Sequence, residues 1–107
     1  MKLIEVNEIN PILTEQLLEV WDKSVRETHL FLSDSEIKNI AKYIPQALNS
    51  IAHLIVAVNG ENKPVAFMGI EERKLEMLFI SHQYRGIGLG KQLLQYGGRI
   101  FFIKFAK

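Results

Sequence analysis

A glycine-rich segment, residues 85–90, constrains the fold of this 107-residue chain more than any other feature. It follows an apolar run typical of a strand and precedes a pattern typical of a helix, which opens near Lys91. A strand, a glycine turn and a helix in this order point several backbone N–H groups into one small space, at the positive end of the helix dipole. This segment, called the glycine motif below, therefore predicts an anion-binding loop, and Arg85 adds a forked cationic donor suited to phosphate.

The spacing of the glycines argues against two common phosphate-binding motifs. A P-loop requires a glycine where Arg85 stands and a hydroxyl side chain where Gln92 stands. A dinucleotide-binding fingerprint that starts at Gly86 and Gly88 requires a third glycine where Lys91 stands. A glycine-rich turn between strand and helix that binds no ligand remains the simplest alternative.

The spacing Arg85-x-x-Gly88-x-Gly90 resembles the pyrophosphate-binding motif of the GNAT superfamily of acetyl-CoA-dependent N-acetyltransferases. The wider segment LFISHQYRGIGLGKQLL is similar to the end of that family's fourth strand, its cofactor loop and the next helix. The resemblance implies acetyl-CoA as co-substrate, with no metal. It assigns cofactor contacts to the strand, largely through its main chain, to the glycine motif and to the residue after it. These residues are Leu78, Phe79, Ile80, Arg85, Gly86, Ile87, Gly88, Leu89, Gly90 and Lys91.

Composition narrows the classes of partner. Thirteen basic and twelve acidic residues leave a net charge of +1, so we expect no nucleic-acid partner. The chain contains no cysteine, which excludes disulfides, thiolate metal sites and a cysteine nucleophile. Residues 1–10 lack the apolar core of a signal peptide, and no segment has the length of a membrane span. These features predict a cytoplasmic protein with no membrane contact.

Periodicity predicts the element order β-α-α-β-β-β-α-β, and the pattern alone indicates only an α+β fold with an antiparallel meander of three strands. The resemblance to the GNAT family implies a mixed, mainly antiparallel sheet flanked by helices. Asn10 should cap the first helix, and Ser33 with Glu36 three residues later predicts a capping box at the start of the second. Pro45 should kink or split that second helical segment, and Gly97 with Gly98 should end the last helix. The strand predicted after them covers residues 100–105. This is also the order of the GNAT fold through its fifth strand. Members of that family continue with a further helix and two strands, so we expect residues 1–107 to form a single domain that is incomplete at its C-terminal end.

The segment between the first two helices resembles a signature found in a subgroup of small bacterial GNAT proteins. In the family these helices form one wall of the groove for the acetyl acceptor. The resemblance therefore implies substrate contacts from Thr28, His29 and Phe31. The alternative is structural: Thr28 and His29 end a helix, and Phe31 packs in the core.

Transfer to an amine requires a base, because only the neutral amine attacks the thioester. Glu76 is the candidate catalytic residue, since strict alternation places it on the same strand face as Leu78 and Ile80. The alternative is an ordinary solvated charge on a strand. In the family, the helix that would follow residue 105 commonly carries the tyrosine that protonates the leaving thiolate, so no residue here receives that role.

These observations favour an N-acetyltransferase that moves an acetyl group from acetyl-CoA to a primary amine, either a small molecule or a peptide, by direct attack. A catalytically inactive acyl-CoA-binding or interaction module is the alternative. The terminal apolar run contains Phe101, Phe102 and Phe105, and an uncovered strand of this kind predicts a homodimer or another homo-oligomer.

Overall fold

The computed structural model describes residues 1–28 and 30–101. Four strands form one antiparallel sheet in chain order. They are β1 (Lys2–Val6), β2 (His53–Val58), β3 (Pro64–Glu71) and β4 (Lys74–Ile80). The central strands β2 and β3 are almost entirely buried, because helices cover both faces of the sheet, and this explains their nearly continuous apolar sequences.

In the described part of the chain, three helices lie between β1 and β2, and a fourth follows β4. They are α1 (Pro11–Thr28), α2 (Asp34–Ala41), α3 (Ile44–Ser50) and α4 (Leu89–Phe101), with a short 3₁₀ turn at His82–Tyr84 before α4. The predicted split at Pro45 is confirmed, since this residue lies in the first turn of α3, where proline is tolerated.

Two helix starts are stabilised by side chains that the sequence identifies. The Leu13 N–H donates to Asn10 Oδ1 over 2.7 Å. At α2, the Glu36 N–H donates to Ser33 Oγ over 3.2 Å, while the Ser33 N–H donates to the Glu36 carboxylate over 3.0 Å. This reciprocal arrangement is a capping box, and it fixes where the chain enters α2.

The sheet separates two apolar cores. On one face, α1, α2 and α3 cover a cluster that includes Leu17, Trp21 and Phe67. On the other face, Leu89 and Leu93 of α4 pack against side chains of β2 and β3. Each large apolar side chain buried in this way contributes about 1.5–3 kcal/mol. The connection from β4 to α4 therefore leads, at the end of the sheet, from the strand to the helix that covers the face opposite α1, α2 and α3.

The predicted stop of the last helix at Gly97 and Gly98 is wrong, because α4 continues to Phe101. A glycine inside a helix costs only about 1 kcal/mol relative to alanine. Packing of Tyr96 against the core beneath α4 and burial of Gly97 offset that cost at this end of the helix. Ile100 is therefore helical, and the fifth strand does not begin at the predicted residue. The rest of that predicted strand, including Phe102 and Phe105, lies outside the described residues.

Charged groups hold the connection between α1 and α2. Asp34 accepts from Arg26 Nη2 over 2.8 Å and lies 3.1 Å from Lys38 Nζ. Lys38 first and then Arg26 lower the pKa of the Asp34 carboxyl. The Ser33 N–H lowers the pKa of the Glu36 carboxyl by hydrogen bonding to its charged form.

We expect these lowered pKa values to make the protein less stable in acid. A carboxyl group whose pKa is depressed by folding stabilises the protein above its unfolded-state pKa, about 4, and this contribution is lost as pH falls through the folded-state value. Thermal unfolding of the wild type and of an Asp34→Asn, Glu36→Gln double variant between pH 3 and pH 7 tests this. The double variant should show a shallower decline below about pH 4, and identical slopes would contradict the assignment.

None of the helices in residues 1–28 and 30–101 combines the length and apolar content needed to cross a bilayer.

Candidate functional site

The glycine motif follows the 3₁₀ turn after β4 and includes the first two residues of α4. Arg85 is extended, with φ −77° and ψ 153°, and ends the 3₁₀ turn. The carbonyl of Gly88 accepts the N–H of Gln92 over 3.0 Å, which is the first hydrogen bond of α4. In an α-helix the N–H groups of the first turn have no partner inside the helix. The motif therefore ends at a helix terminus of the kind that binds anions.

The three glycines of the motif have two different roles. Gly86 and Gly88 have φ values of +78° and +82°, in the left-handed region that favours glycine. A Cβ added to either would meet nothing within 4 Å, so open space adjoins both residues. A Cβ at Gly90 would lie 3.1 Å from Ile80 Cδ1. The first two glycines therefore set the backbone path beside open space, and Gly90 allows α4 to approach β4 closely.

The side chain of Arg85 forms a hydrogen bond with a residue that the sequence did not predict as its partner. Arg85 Nη2 donates to Ser24 Oγ of α1 over 3.1 Å. Ser24 is 3% exposed, whereas Arg85 as a whole is exposed. We predicted the guanidinium as a phosphate donor, and the structure gives one of its N–H groups to a serine of α1. No local sequence signal shows this contact, because its two residues lie 61 positions apart.

The strand expected to contact the cofactor lies at the edge of the described sheet. Leu78 pairs with Met68, and Phe79 with Phe67, whose ring centroid is 5.5 Å from that of Phe79. Among the described residues, no strand pairs with the opposite edge of β4. An antiparallel edge strand presents the N–H and C=O groups of alternate residues outward. This edge therefore offers main-chain groups to an extended ligand.

Glu76 lies at a register shift in β4. Ile70 pairs with Leu75 and Gly69 pairs with Met77, so Glu76 is the extra residue of a β-bulge. Leu75 packs in the same core as Leu78 and Ile80, although it is an odd number of residues from both. The strict alternation on which we based the choice of Glu76 therefore does not extend across the bulge.

The bulge places Glu76 beside an open groove of about 440 Å³ between β4 and α3. Glu76 is exposed. Ala47, Ile51 and Met77 supply apolar lining, and Glu71 a second carboxylate. One oxygen of Glu71 accepts the Ala52 N–H over 3.2 Å. The groove thus combines apolar surface with carboxylates.

The predicted acceptor residues lie at the connection between α1 and α2. Thr28 is the last residue of α1, and its hydroxyl donates to the Ser24 carbonyl over 2.8 Å. Phe31 is 81% exposed, so the alternative that it packs in the core is wrong. His29 lies outside the described residues. Within the part of the chain that the structure describes, no group of three or more His, Asp or Glu side chains is placed to hold a metal ion.

The fold and the loop together define a class of α+β proteins in which an antiparallel meander passes from its last strand through a glycine loop into a helix. The acetyltransferase (GNAT) domain family matches residues 14–97, a range that includes β2, β3, β4, the glycine motif and most of α4. The chain therefore belongs to the GNAT acetyltransferase family.

Individual relatives agree with this assignment. The chain is 35% identical over 82 residues to the peptidyl-lysine N-acetyltransferase YjaB of Salmonella typhimurium, a match that covers 77% of this chain and 56% of that protein. The solution structure of apo YjaB from Escherichia coli has a TM-score of 0.77 and 29% identity, over 92% of this chain and 66% of that one. The chain spans a little more than half the length of the curated relatives it matches.

A more distant structure shows the same fold. The PaiA N-acetyltransferase of Thermoplasma acidophilum, crystallised in complex with coenzyme A, has a TM-score of 0.66 and 19% identity. The superposition covers 95% of this chain and 73% of that one. The predicted α+β class, with a mainly antiparallel sheet flanked by helices, is confirmed.

Proposed function

We propose that this chain binds acetyl-CoA with the pyrophosphate at the backbone of residues 86–91. The single observation that carries the proposal is the pair of left-handed glycines, Gly86 and Gly88, beside open space at the start of α4. Backbone N–H groups and the helix dipole favour a doubly charged group at that place. Several relatives of known structure contain coenzyme A or acetyl-CoA, which fits this ligand.

The pantetheine arm of the cofactor would lie along the outer edge of β4 at Leu78, Phe79 and Ile80. Its amide groups would pair with outward N–H and C=O groups of the strand, as another strand would. A backbone N–H of the same edge would polarise the thioester carbonyl, because a donor aimed at the developing oxyanion stabilises the transition state. Because these contacts would use the main chain, they place no requirement on the side chains, which pack against the two apolar cores.

The reaction is transfer of the acetyl group to a primary amine by direct attack. The nitrogen lone pair forms a bond to the thioester carbonyl carbon, the carbon–sulfur bond breaks, and the coenzyme A thiolate leaves and takes up a proton from solvent. The amine must lose a proton, which passes to the Glu76 carboxylate directly or through water. The chain contains no cysteine, so the acetyl group does not pass through a cysteine acyl-enzyme.

The acceptor that we propose to test first is the side-chain amine of a peptide lysine. Relatives with 35% identity are named peptidyl-lysine N-acetyltransferases. A lysine side chain combines an apolar stem with a cationic head, and the groove at Glu76 combines apolar residues with carboxylates. Thr28, His29 and Phe31 are proposed as the other wall of the acceptor site. A homo-oligomeric state and a cytoplasmic location stay predictions from the sequence.

Calorimetry with three ligands tests the cofactor site. We expect acetyl-CoA and CoA to bind with one site per chain. S-acetylpantetheine lacks the pyrophosphate, and charge-assisted contacts of about 1.5–3 kcal/mol make its affinity at least about tenfold lower. Equal affinity for acetyl-CoA and S-acetylpantetheine would remove the pyrophosphate from the proposal, and no heat with acetyl-CoA would reject it.

Mass spectrometry of a lysine-containing peptide incubated with acetyl-CoA tests transfer. The expected product carries one acetyl group on the lysine side chain, and a peptide with acetyl-lysine at the same position is the control. Binding of acetyl-CoA without transfer to this peptide or to a panel of small primary amines would favour the acyl-CoA-binding module instead.

A further inference from the structure

We infer that Ser24 of α1 is a positioning residue for the cofactor site and acts through Arg85. This inference rests on the proposed function, because it concerns how the glycine motif is held ready for the pyrophosphate of acetyl-CoA. It assigns a role to a serine that lies outside the motif and that makes no proposed contact with ligand.

The hydroxyl of Ser24 is a polar group buried on an apolar face of α1. The helix face that carries it is apolar, with Val20, Trp21 and Val25 all buried beside it. A hydroxyl buried among such residues is unfavourable unless it has a hydrogen-bond partner. Its partner here is the guanidinium of Arg85, at 3.1 Å. The serine therefore links α1 to the first residue of the glycine motif.

The motif needs such a link because glycine has great conformational freedom. Gly86 and Gly88 have no side chains to fix their backbone angles, and ordering them costs more entropy than ordering other residues. The end of this segment is held by Leu89, which is 2% exposed in the core beneath α4. Its beginning is held by the bond from Arg85 to Ser24. The two anchors lie in different layers of the fold, and together they keep the N–H groups preorganised for the ligand.

The hydrogen bond leaves Arg85 able to contact phosphate as well. A guanidinium has five N–H donors, and this bond uses one of them. Ser24 therefore fixes both the start of the loop and the position of the charged group. Its removal should weaken binding of a ligand that contains the pyrophosphate and should spare a ligand that does not.

A double-mutant cycle tests the inference. We expect Ser24→Ala to lower the affinity for acetyl-CoA about 3- to 10-fold, as the loss of one hydrogen bond implies. In an Arg85→Ala background the same change should have almost no effect, because the two residues act as one unit. Affinity for S-acetylpantetheine should be unchanged by Ser24→Ala. Ser35→Ala, an exposed serine on α2, is the matched control and should bind acetyl-CoA like the wild type.

A second pair of variants distinguishes loss of the hydroxyl from a folding defect. Ser24→Thr keeps the hydroxyl, and Ser24→Val replaces it with a methyl group in a side chain of nearly the same shape. Thermal unfolding of each variant is measured with the calorimetry. We expect the threonine variant to bind acetyl-CoA about 3- to 10-fold more tightly than the valine variant.

The remaining outcomes would each overturn either the role of Ser24 or the proposed function. Additive effects of Ser24→Ala and Arg85→Ala, or equal affinities of the threonine and valine variants, would overturn the role of Ser24. An equal loss of affinity for S-acetylpantetheine would do the same, because it would point to a general packing role. A wild-type chain that binds no acetyl-CoA would reject the proposed function itself.

Discussion

Replacement of Gly88 by valine should lower the affinity for acetyl-CoA at least about 30-fold. The φ angle of Gly88 is +82°, a conformation that a β-branched residue adopts only with strain of about 1–3 kcal/mol. The two methyl groups would also enter the open space beside the residue, where the pyrophosphate is proposed to lie. Backbone strain and obstruction should both weaken binding of acetyl-CoA, and the affinity from calorimetry measures their combined effect.

Two further variants separate these causes. Asparagine tolerates left-handed backbone better than valine, so Gly88→Asn should unfold near the wild-type temperature and still bind acetyl-CoA weakly. Gly98 lies inside α4, and a Cβ there meets nothing within 4 Å. Gly98→Ala should therefore leave affinity unchanged and raise stability by about 1 kcal/mol. Unchanged affinity in Gly88→Val would remove the glycine motif from the cofactor site.

The features that the sequence predicted correctly depend on short-range rules. Asn10 and Ser33 begin helices because their side chains accept N–H groups a few residues away. Pro45 opens α3 because proline fits a first helical turn. The position of the glycine motif between a strand and a helix is equally local. In each case the interacting groups are neighbours in the chain, so a pattern of residue types is sufficient to predict them.

The features that the sequence missed depend on contacts between distant segments. The glycines at 97 and 98 resemble a helix stop, but the core beneath α4 decides the outcome. The bond between Ser24 and Arg85 joins two elements that only the folded sheet brings together. The bulge at Glu76 did have a signal, because the partner strand carries Gly69 near that point, and an isolated glycine inside a strand often marks a bulge.

The bulge changes the argument for Glu76 without removing its chemical basis. A bulge re-aims a side chain and is common next to active sites. Here the extra residue lies two positions before Leu78, the first of the strand residues proposed to contact the pantetheine arm, and it lines the groove proposed for the acceptor. We therefore propose that the bulge, instead of strict alternation, positions the Glu76 carboxylate for the role of base.

Glu76→Gln should lower the rate of acetyl transfer to a lysine peptide about 100-fold near neutral pH, the lower end of what a general base contributes. The amide keeps the shape of the side chain but cannot accept the proton, so affinity for acetyl-CoA should not change. Near pH 10 the lysine amine loses its proton to solvent, and the deficit should shrink. The measurement is the dependence of kcat/KM on pH for the wild type and the variant.

Glu72→Gln provides the matched control, since Glu72 is an exposed carboxylate in the turn before β4. The same loss of one negative charge, four residues from Glu76, should leave the rate within about twofold of the wild type, because screened surface charges have small effects. A similar deficit in both variants would show that net charge near the groove attracts the peptide. A deficit of Glu76→Gln that is equal at every pH would show a binding or packing role. Only a loss confined to Glu76, and relieved as the amine deprotonates, identifies the carboxylate as the base.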